Sequence, residues 1–289
     1  MSNRDDHIVS VLSGNREVVV KAITARNLVQ DALIKQDLRP LAADALGRVM
    51  ICTLLMSSGL KDQETLQLTF QGDGPLQGVM AISDGEGGIR GYVGDGRVSL
   101  PYNENGRPDV STGIGSGLLK VIRNHPEYER PYSGIVKLRN SEVAFDVAGY
   151  LKDSEQKSTA IAAGVAVDGA VVRQAGGWLI ETLPGASDET ERLTIRNLQS
   201  LINDAEDPSL LLGAGLTPTG LATRLLEGLG GIDSITVRAP SYKCHCSSER
   251  VYRALRLLGV EEVRSIVKEN EIVEVSAEKV CKSMAVAAE

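Results

Sequence analysis

Alternating apolar and polar positions over residues 7–13 predict a β-strand at the start of the chain. Apolar residues then recur at near-helical spacing over residues 16–34, which predicts an amphipathic helix. Pro40 occupies a favoured proline position in the first turn of a second helix over residues 41–56. Because that helix is apolar nearly all round, we expect it to lie at the centre of the core.

Short apolar segments separated by glycine-rich turns follow, and this spacing is typical of an antiparallel meander. Residues 149–158 are polar and indicate a turn or the start of a helix. The predicted strands cover residues 66–70, 78–82, 88–93, 97–100, 133–138, 142–147 and 160–173.

The composition changes near Pro184, where leucine-rich stretches begin that have little local apolar surface to cover them. A glycine-containing segment, residues 213–220, divides these stretches and is a candidate hinge. Beyond Tyr242 the pattern predicts two short helices and a strand at residues 272–275. The leucine-rich stretches that we expect to be helical cover residues 189–201, 210–212 and 218–229.

The composition argues against nucleic acid and membranes as partners. Apolar residues make up 42% of the chain and the net charge is −7, so the chain has a sizeable core and no basic surface for nucleic acid. No segment reaches the roughly 20 apolar residues of a membrane helix. The polar N-terminus lacks the apolar region of a secretory signal, which favours a cytoplasmic protein. A plastid or mitochondrial protein whose presequence was removed is the alternative.

Standard catalytic motifs find no support in the sequence. The glycine loop over residues 71–78 misses the spacing of a dinucleotide-binding turn and precedes a predicted strand, so it indicates a hairpin turn. The three histidines His7, His125 and His245 lie near no nucleophile motif. We therefore do not expect an enzyme.

The cysteines are distributed unevenly along the chain. Cys52 lies alone in an apolar stretch and is expected to be a buried, inert core residue. Cys244, Cys246 and Cys281 all lie near the C-terminus. Two thiols separated by one residue can bind zinc or be oxidised. The simpler alternative is a pair of incidental exposed thiols.

Several segments together resemble one family, the redox-regulated heat-shock protein 33 chaperones. The resemblance covers nearly the whole chain, and it depends on the number and order of the segments more than on any one of them. They are residues 40–48, 71–78, 88–93, 131–136, 150–156, 175–180 and 243–250, the last of which places a Cys-x-Cys before Ser-x-Glu-Arg.

The resemblance implies an ATP-independent holdase that binds unfolded client proteins under oxidative stress. It implies one zinc ion, held by four cysteines in the reduced state and released when they form two disulfides. It also implies a monomer when reduced and a possible homodimer when active. The leucine-rich segment fits this scheme as a metastable element that docks or melts, although it could equally be a permanently packed helical subdomain.

This chain departs from the family at the second cysteine pair. Where Cys-x-x-Cys is expected, residues 276–283 contain Cys281 alone. Three states follow from this. In the first, zinc is held by Cys244, Cys246 and Cys281, with His245 or water as a substitute ligand. In the second, the three thiols act without metal, and Cys281 pairs with Cys244 or Cys246. In the third, the switch is degenerate.

Taken together, the sequence predicts an α/β protein with an α+β core of antiparallel strands packed with helices over residues 1–183. A helical linker over residues 184–240 and a C-terminal thiol or zinc module over residues 241–289 complete the predicted organisation. The predicted function is that of a redox-regulated holdase that needs no nucleic acid or membrane partner. The alternatives are a constitutive binder of unfolded proteins and a thiol-dependent oxidoreductase or zinc hydrolase.

Overall fold

The computed structural model describes residues 5–61, 63–156, 158–204 and 207–243, together with short stretches between residues 253 and 287. The chain divides into two compact units, Met1–Tyr242 and Lys243–Glu289. In the second unit, β12 (Ile272–Val275) pairs antiparallel with β13 (Met284–Ala287). The strand predicted at residues 272–275 is therefore confirmed.

The first unit contains helices and strands in a mixed order. Its helices are α1 (Arg26–Gln36), α2 (Pro40–Ser57), α3 (Val110–Ile114), α4 (Val143–Glu155), α5 (Asp188–Asp204), α6 (Pro208–Gly213) and α7 (Pro218–Leu225). Its strands are β1 (His7–Ser13), β2 (Val18–Thr24), β3 (Thr65–Gly72), β4 (Val79–Asp84), β5 (Gly88–Val93), β6 (Gly117–Asn124), β7 (Tyr132–Lys137), β8 (Thr159–Asp168), β9 (Val171–Thr182), β10 (Ile232–Arg238) and β11 (Ser241–Tyr242).

These strands form two sheets that are almost entirely antiparallel. The five-stranded sheet has the order β10-β1-β2-β9-β8, and the six-stranded sheet has the order β11-β5-β4-β3-β6-β7. Only the short β11 runs parallel to its neighbour, β5, among these pairs. The predicted class, an α+β core of antiparallel strands packed with helices, is confirmed.

Helix α2 lies at the centre of the core, as its apolar sequence predicts. It packs against strands of both sheets, and Pro40 stands at its first turn. Its length and mean hydropathy of 1.3 would suit a membrane span, but 94% of that window is buried inside the fold. The apolar character of α2 is therefore explained by its position in the core.

The helix predicted over residues 16–34 is wrong in its first half. Residues 18–24 form β2, and α1 begins only at Arg26. Strand β2 lies inside the five-stranded sheet between β1 and β9, and both of its faces meet apolar neighbours. Its consecutive valines therefore lack the apolar and polar alternation that distinguishes a strand from a helix.

Further differences lie beyond residue 97. Residues 142–147 do not form a strand, because residues 143–147 belong to α4, in which Val143, Val147 and Leu151 are buried at helical spacing. Residues 97–100 form no strand, although Val98 and Leu100 pack against the core. Strands β8 and β9 occupy the region predicted as strand over residues 160–173. Strands β6, β10, β11 and β13 were not predicted.

The glycine loop over residues 71–78 is a hairpin connection, as its context predicts. It joins β3 to β4, which pair antiparallel from Phe70 with Val79 to Thr65 with Asp84. Gly78 has a φ of 97°, a left-handed conformation that glycine adopts without strain. The loop therefore has a structural role in the core domain.

Candidate functional site

The five-stranded sheet buries apolar side chains on both of its faces. On one face, residues such as Ile23 and Leu179 pack with α1 and α2 in the main core. The opposite face carries Val9, Val11 and Val20, which belong to a second apolar cluster. An antiparallel sheet commonly leaves one face to solvent, so the second apolar face requires a cover of its own.

Helices α5, α6 and α7, with the turn that follows α7, provide that cover. We call residues 188–229 the cover. Its buried leucines belong to the same cluster as the valines of the sheet and as Trp178, the only tryptophan of the chain. The buried apolar residues of the cover are Leu201, Leu211, Leu212, Leu221, Ala222, Leu225, Leu226 and Leu229.

Two glycines on neighbouring strands form the seat for α6. Gly164 of β8 lies directly opposite Gly176 of β9. A Cβ atom at Gly164 would collide with the carboxylate of Asp207, and one at Gly176 would collide with the side chain of Leu212. Because both positions lack a Cβ, the start and the end of α6 approach the sheet backbone closely.

Polar contacts hold the first turn of α5 against the β1–β2 turn. The side-chain Nδ2 of Asn15 donates to Thr190 Oγ1 at 2.8 Å, and Ser187 Oγ donates to Glu17 Oε2 at 3.0 Å. Thr190 also donates to the same carboxylate. These hydrogen bonds hold the pKa of Glu17 below its ordinary value, because they stabilise the charged form.

A buried asparagine joins the two ends of the cover to each other. Asn197 on α5 is 6% exposed, and its Nδ2 donates to the carbonyl oxygens of Leu225 at 3.0 Å and Glu227 at 2.8 Å. Those carbonyls lie at the C-terminal end of α7 and in the turn after it, where no following helical turn can bond them. The cover therefore has internal hydrogen bonds that join α5 to the end of α7.

A network of charged residues lies beside the cover. Arg48 donates to Asp44 at 2.6 Å and to Glu142 at 2.7 Å, and Arg107 pairs with Asp207 at the start of α6. Burial raises the pKa of Asp44 to about 6, against the opposing effect of Arg48 and with a further contribution from the charge of Asp207. The cover thus influences the protonation of a core carboxyl.

The chain leaves the first unit at a well-anchored position. Ser241 and Tyr242 pair with Gly88 and Ile89 of β5. The Tyr242 hydroxyl accepts a hydrogen bond from Gln36 Nε2 at 2.9 Å, and the Lys35 ammonium lies 4.8 Å from the centre of its ring. The cysteine pair predicted as functional begins two residues further on, at Cys244.

The three cysteines predicted as redox-active or zinc-binding, Cys244, Cys246 and Cys281, lie outside the described residues, as does His245. Among the residues that the structure does describe, no group of three or more His, Cys, Asp and Glu side chains is placed to hold a metal ion. Cys52 is fully buried in α2, and burial raises the pKa of its thiol. The prediction that Cys52 is a buried core residue is confirmed.

The sequence predicted the leucine-rich helices of the cover but not the residues against which α6 packs. The role of Gly164 and Gly176 in the close approach of α6 can be recognised only from the register of β8 and β9, which places the two glycines opposite each other. Gly176 does stand in a Gly-Gly-Trp sequence that ends at Trp178. This unusual pattern inside a strand is the one available signal of close backbone approach.

Comparisons with known proteins agree with this architecture. A family model described as Hsp33 protein matches residues 6–284. A 33 kDa chaperonin of Ruminiclostridium cellulolyticum is 34% identical over 265 residues, which is 91% of this chain and 89% of that protein. The 33 kDa chaperonin of Staphylococcus haemolyticus is 32% identical over 96% of this chain and 91% of its own length.

A solved structure matches as well. The crystal structure of the heat shock protein 33 homolog of Thermotoga maritima superposes with a TM-score of 0.89 at 28% identity, covering 98% of this chain and 95% of that one. The family model, the identities above 30% and the shared fold all lead to one assignment, and the chain belongs to the Hsp33 family of chaperones.

Proposed function

We propose that this protein is a redox-regulated, ATP-independent holdase that binds unfolding proteins under oxidative stress and prevents their aggregation. The observation that carries the proposal is the second apolar face of the five-stranded sheet, which lies under a leucine-rich cover. Membership of a chaperone family supports the binding of unfolded proteins, and the cysteine pattern at the C-terminus supports control by oxidation.

In this proposal the cover is the part that moves. Fully burying one leucine contributes about 1.5–3 kcal/mol, so the apolar contacts of the cover are its main attachment. The polar contacts are few and are concentrated at Glu17, Asp207 and the residues around them. When the cover lifts, the valines of β1 and β2 and Trp178 become an exposed apolar patch, which is the surface that an unfolded chain seeks.

The thiols of Cys244, Cys246 and Cys281 provide the proposed redox control. Two thiols and one molecule of hydrogen peroxide yield one disulfide and two molecules of water, with the two electrons passing from sulfur to the peroxide. Cys281 is available to pair with either of the other two. The C-terminal module follows directly on Tyr242 in the sequence, and we propose that a change in its folding loosens the anchored exit strand β11.

Zinc belongs to the proposal through the chemistry of the donor set. Three cysteines with His245 make up a Cys₃His set, which structural zinc sites use, so these residues would hold one ion in the reduced state. When bound, zinc would stabilise the folded form of the small module. Metal analysis of freshly reduced protein tests this directly, since about one ion per chain supports the site and none refutes it.

The remaining parts of the proposal follow from the same reasoning. The partners are unfolded or partly unfolded client proteins, with a homodimer as the possible active form. We propose a cytoplasmic location, since the cysteine arrangement suits a reducing compartment.

The test is suppression of client aggregation. Reduced and peroxide-treated protein are each added to a thermally unfolding client, and light scattering is recorded. The oxidised protein should suppress scattering and the reduced protein should not. A variant with Cys244→Ser and Cys246→Ser should lose the response, whereas Cys52→Ser, the matched control in the core, should keep it. Absence of suppression in both redox states would refute the proposal.

A second function is favoured by one specific observation, the missing cysteine in residues 276–283. If the switch is degenerate, the protein is a constitutive binder of unfolded chains. The same variants distinguish the two functions, because a constitutive binder suppresses aggregation equally before and after the cysteine substitutions.

A further inference from the structure

Strand β8 forms one edge of the five-stranded sheet, and no strand within the described residues pairs with its outer side. The N–H of Thr182 donates to the carbonyl oxygen of Ser158 at 3.1 Å, which fixes the phase of the β8–β9 ladder. Every second residue from Ser158 onward therefore bonds with β9. The intervening residues Thr159, Ile161 and Ala163 direct their N–H and C=O groups toward the open side.

A cleft of about 850 Å³ runs along this edge. Strand β8 contributes residues 159–163 to it, α4 lies on one side, and α5 and α6 of the cover lie on the other. The rest of the lining is largely polar and comes from Arg48, Glu142 and residues 103–111. Large apolar side chains on the two helical sides are exposed to solvent, which is unusual for a site without a partner. These exposed side chains are Phe145, Ile202 and Leu210.

Two buried hydroxyl groups lack hydrogen-bond partners beside the same edge. They are Thr159 Oγ1 and Thr194 Oγ1, and both line a recess of about 250 Å³ that shares Thr159, Ala160 and Leu198 with the cleft. Buried polar groups in folded proteins are almost always hydrogen-bonded. A polar ligand group in the recess, such as a peptide amide, would give the Thr194 hydroxyl the partner that it lacks.

The open edge has a defined end. At Gly164 the carboxylate of Asp207 lies against the strand backbone, and its ion pair with Arg107 closes that end of the cleft. About five residues of β8 therefore remain open, a length of about 17 Å at 3.3 Å per residue. This edge, Thr-Ala-Ile-Ala-Ala, contains none of the charged residues or prolines that usually protect an edge strand.

The dimensions favour a single extended chain over a second copy of this protein. A strip about 17 Å long and about 10 Å wide is several-fold smaller than the roughly 800 Å² per partner of a stable interface. The cleft is also continuous with the surface beneath the cover, because Trp178 belongs both to its lining and to the apolar cluster under the cover. A chain bound at the edge therefore lies next to the proposed client surface.

We propose that residues 159–163 of β8 bind an extended, uncharged, apolar segment of an unfolded client by adding it to the sheet as a further strand. The backbone bonds would be independent of client sequence, and the apolar walls would receive alternate side chains. This proposal rests on the proposed holdase function and specifies how the client is held.

The test uses full-length protein and the fluorescence of Trp178, which is 4% exposed at the cleft wall. The probe is a short, capped peptide of alternating threonine and valine. Its matched control is the same peptide methylated on two consecutive backbone nitrogens, which removes a donor from each of its edges. We expect saturable binding of the first peptide and binding about tenfold or more weaker for the second, since at least one backbone hydrogen bond is lost.

Protein variants provide the complementary test. Ala163→Pro removes an outward N–H without removing a ladder bond, and Ala163→Ser retains it. We expect the proline variant to bind the probe about tenfold more weakly or worse and the serine variant to bind it as the parent does, with both folded by circular dichroism. Equal binding of the two peptides, or of the two folded variants, would overturn the proposal.

Two further outcomes are separable. If the parent protein suppresses client aggregation but binds both peptides alike, the edge assignment fails and the holdase function stands. If it binds the peptide specifically but never suppresses aggregation, the holdase function fails. A third experiment measures hydrogen exchange of the Thr159, Ile161 and Ala163 amides in the protein without peptide. If these amides are protected and the protection disappears on dilution, the edge pairs with a second copy of the protein, and the client assignment is overturned.

Discussion

Replacing Leu225 by alanine should separate the cover from the sheet without changing any cysteine. Leu225 is fully buried in α7 within the apolar cluster under the cover. Truncating a buried leucine to alanine costs about 2–5 kcal/mol. Because the lost contacts form only when the cover is closed, a cost of about 3 kcal/mol raises the open population by about a hundredfold.

The assay compares reduced Leu225→Ala with reduced Leu54→Ala on a thermally unfolding client. Leu54 is 1% exposed in α2 and belongs to the main core, so its truncation lowers global stability by a similar amount without favouring the open cover. We expect Leu225→Ala to suppress aggregation without peroxide and Leu54→Ala to remain inactive. Both are checked for folding by circular dichroism at the assay temperature.

Hydrogen exchange of the amides in α6 and α7 reports the opening of the cover independently. The reasoning would be refuted if these amides exchange faster in Leu225→Ala while the reduced variant still fails to suppress aggregation. In that case the surface beneath the cover is not the one that binds clients.

Three further predictions follow from the structure. Gly164→Ala should displace the start of α6, because the new Cβ would collide with Asp207. We therefore expect faster hydrogen exchange of the α6 amides, and unchanged exchange would contradict the close approach of α6 to β8. The raised pKa of Asp44, about 6 against 3.8, means that the folded protein binds this proton more tightly than the unfolded chain. The contribution of Asp44 to the free energy of unfolding should therefore fall as the pH rises from about 4 to about 6, and urea denaturation should show this decrease in the parent protein relative to Asp44→Asn. Cys52 should resist alkylation in the native protein and react only in denaturant, since it is fully buried with a raised thiol pKa; mass spectrometry that found it modified in folded protein would contradict its placement.

Local sequence signals predicted those parts of the fold that local physics determines. Pro40 and an apolar stretch predicted α2, and glycine turns predicted the β3–β4–β5 meander. The same signals failed for β2, because its residues 18–20 are all valine and its sequence therefore shows no alternation of apolar and polar residues. They failed again at α4, where β-branched Val143 and Val147 suggest a strand while tertiary packing selects a helix.

The candidate site was predictable only in part for a related reason. The density of leucines after Pro184 revealed an element that needs a partner, but the partner surface consists of residues from β1, β2 and β9 that are far apart in sequence. The seat formed by Gly164 and Gly176 depends on strand register, which a single sequence does not specify. The open edge of β8 depends on sheet order in the same way.

If clients bind beneath the cover, as proposed, the position of the cover between β9 and β10 determines how a client would be released. Both strands belong to the five-stranded sheet, so the cover is tethered at each end and stays near its seat after it lifts. Tethering by flexible segments gives an effective concentration on the order of millimolar. The cover would thus compete with a client, within the same molecule, for the apolar surface beneath it. Under the proposed function, a client would stay bound only while it outcompetes the cover, and the rate of reclosure would not depend on protein concentration.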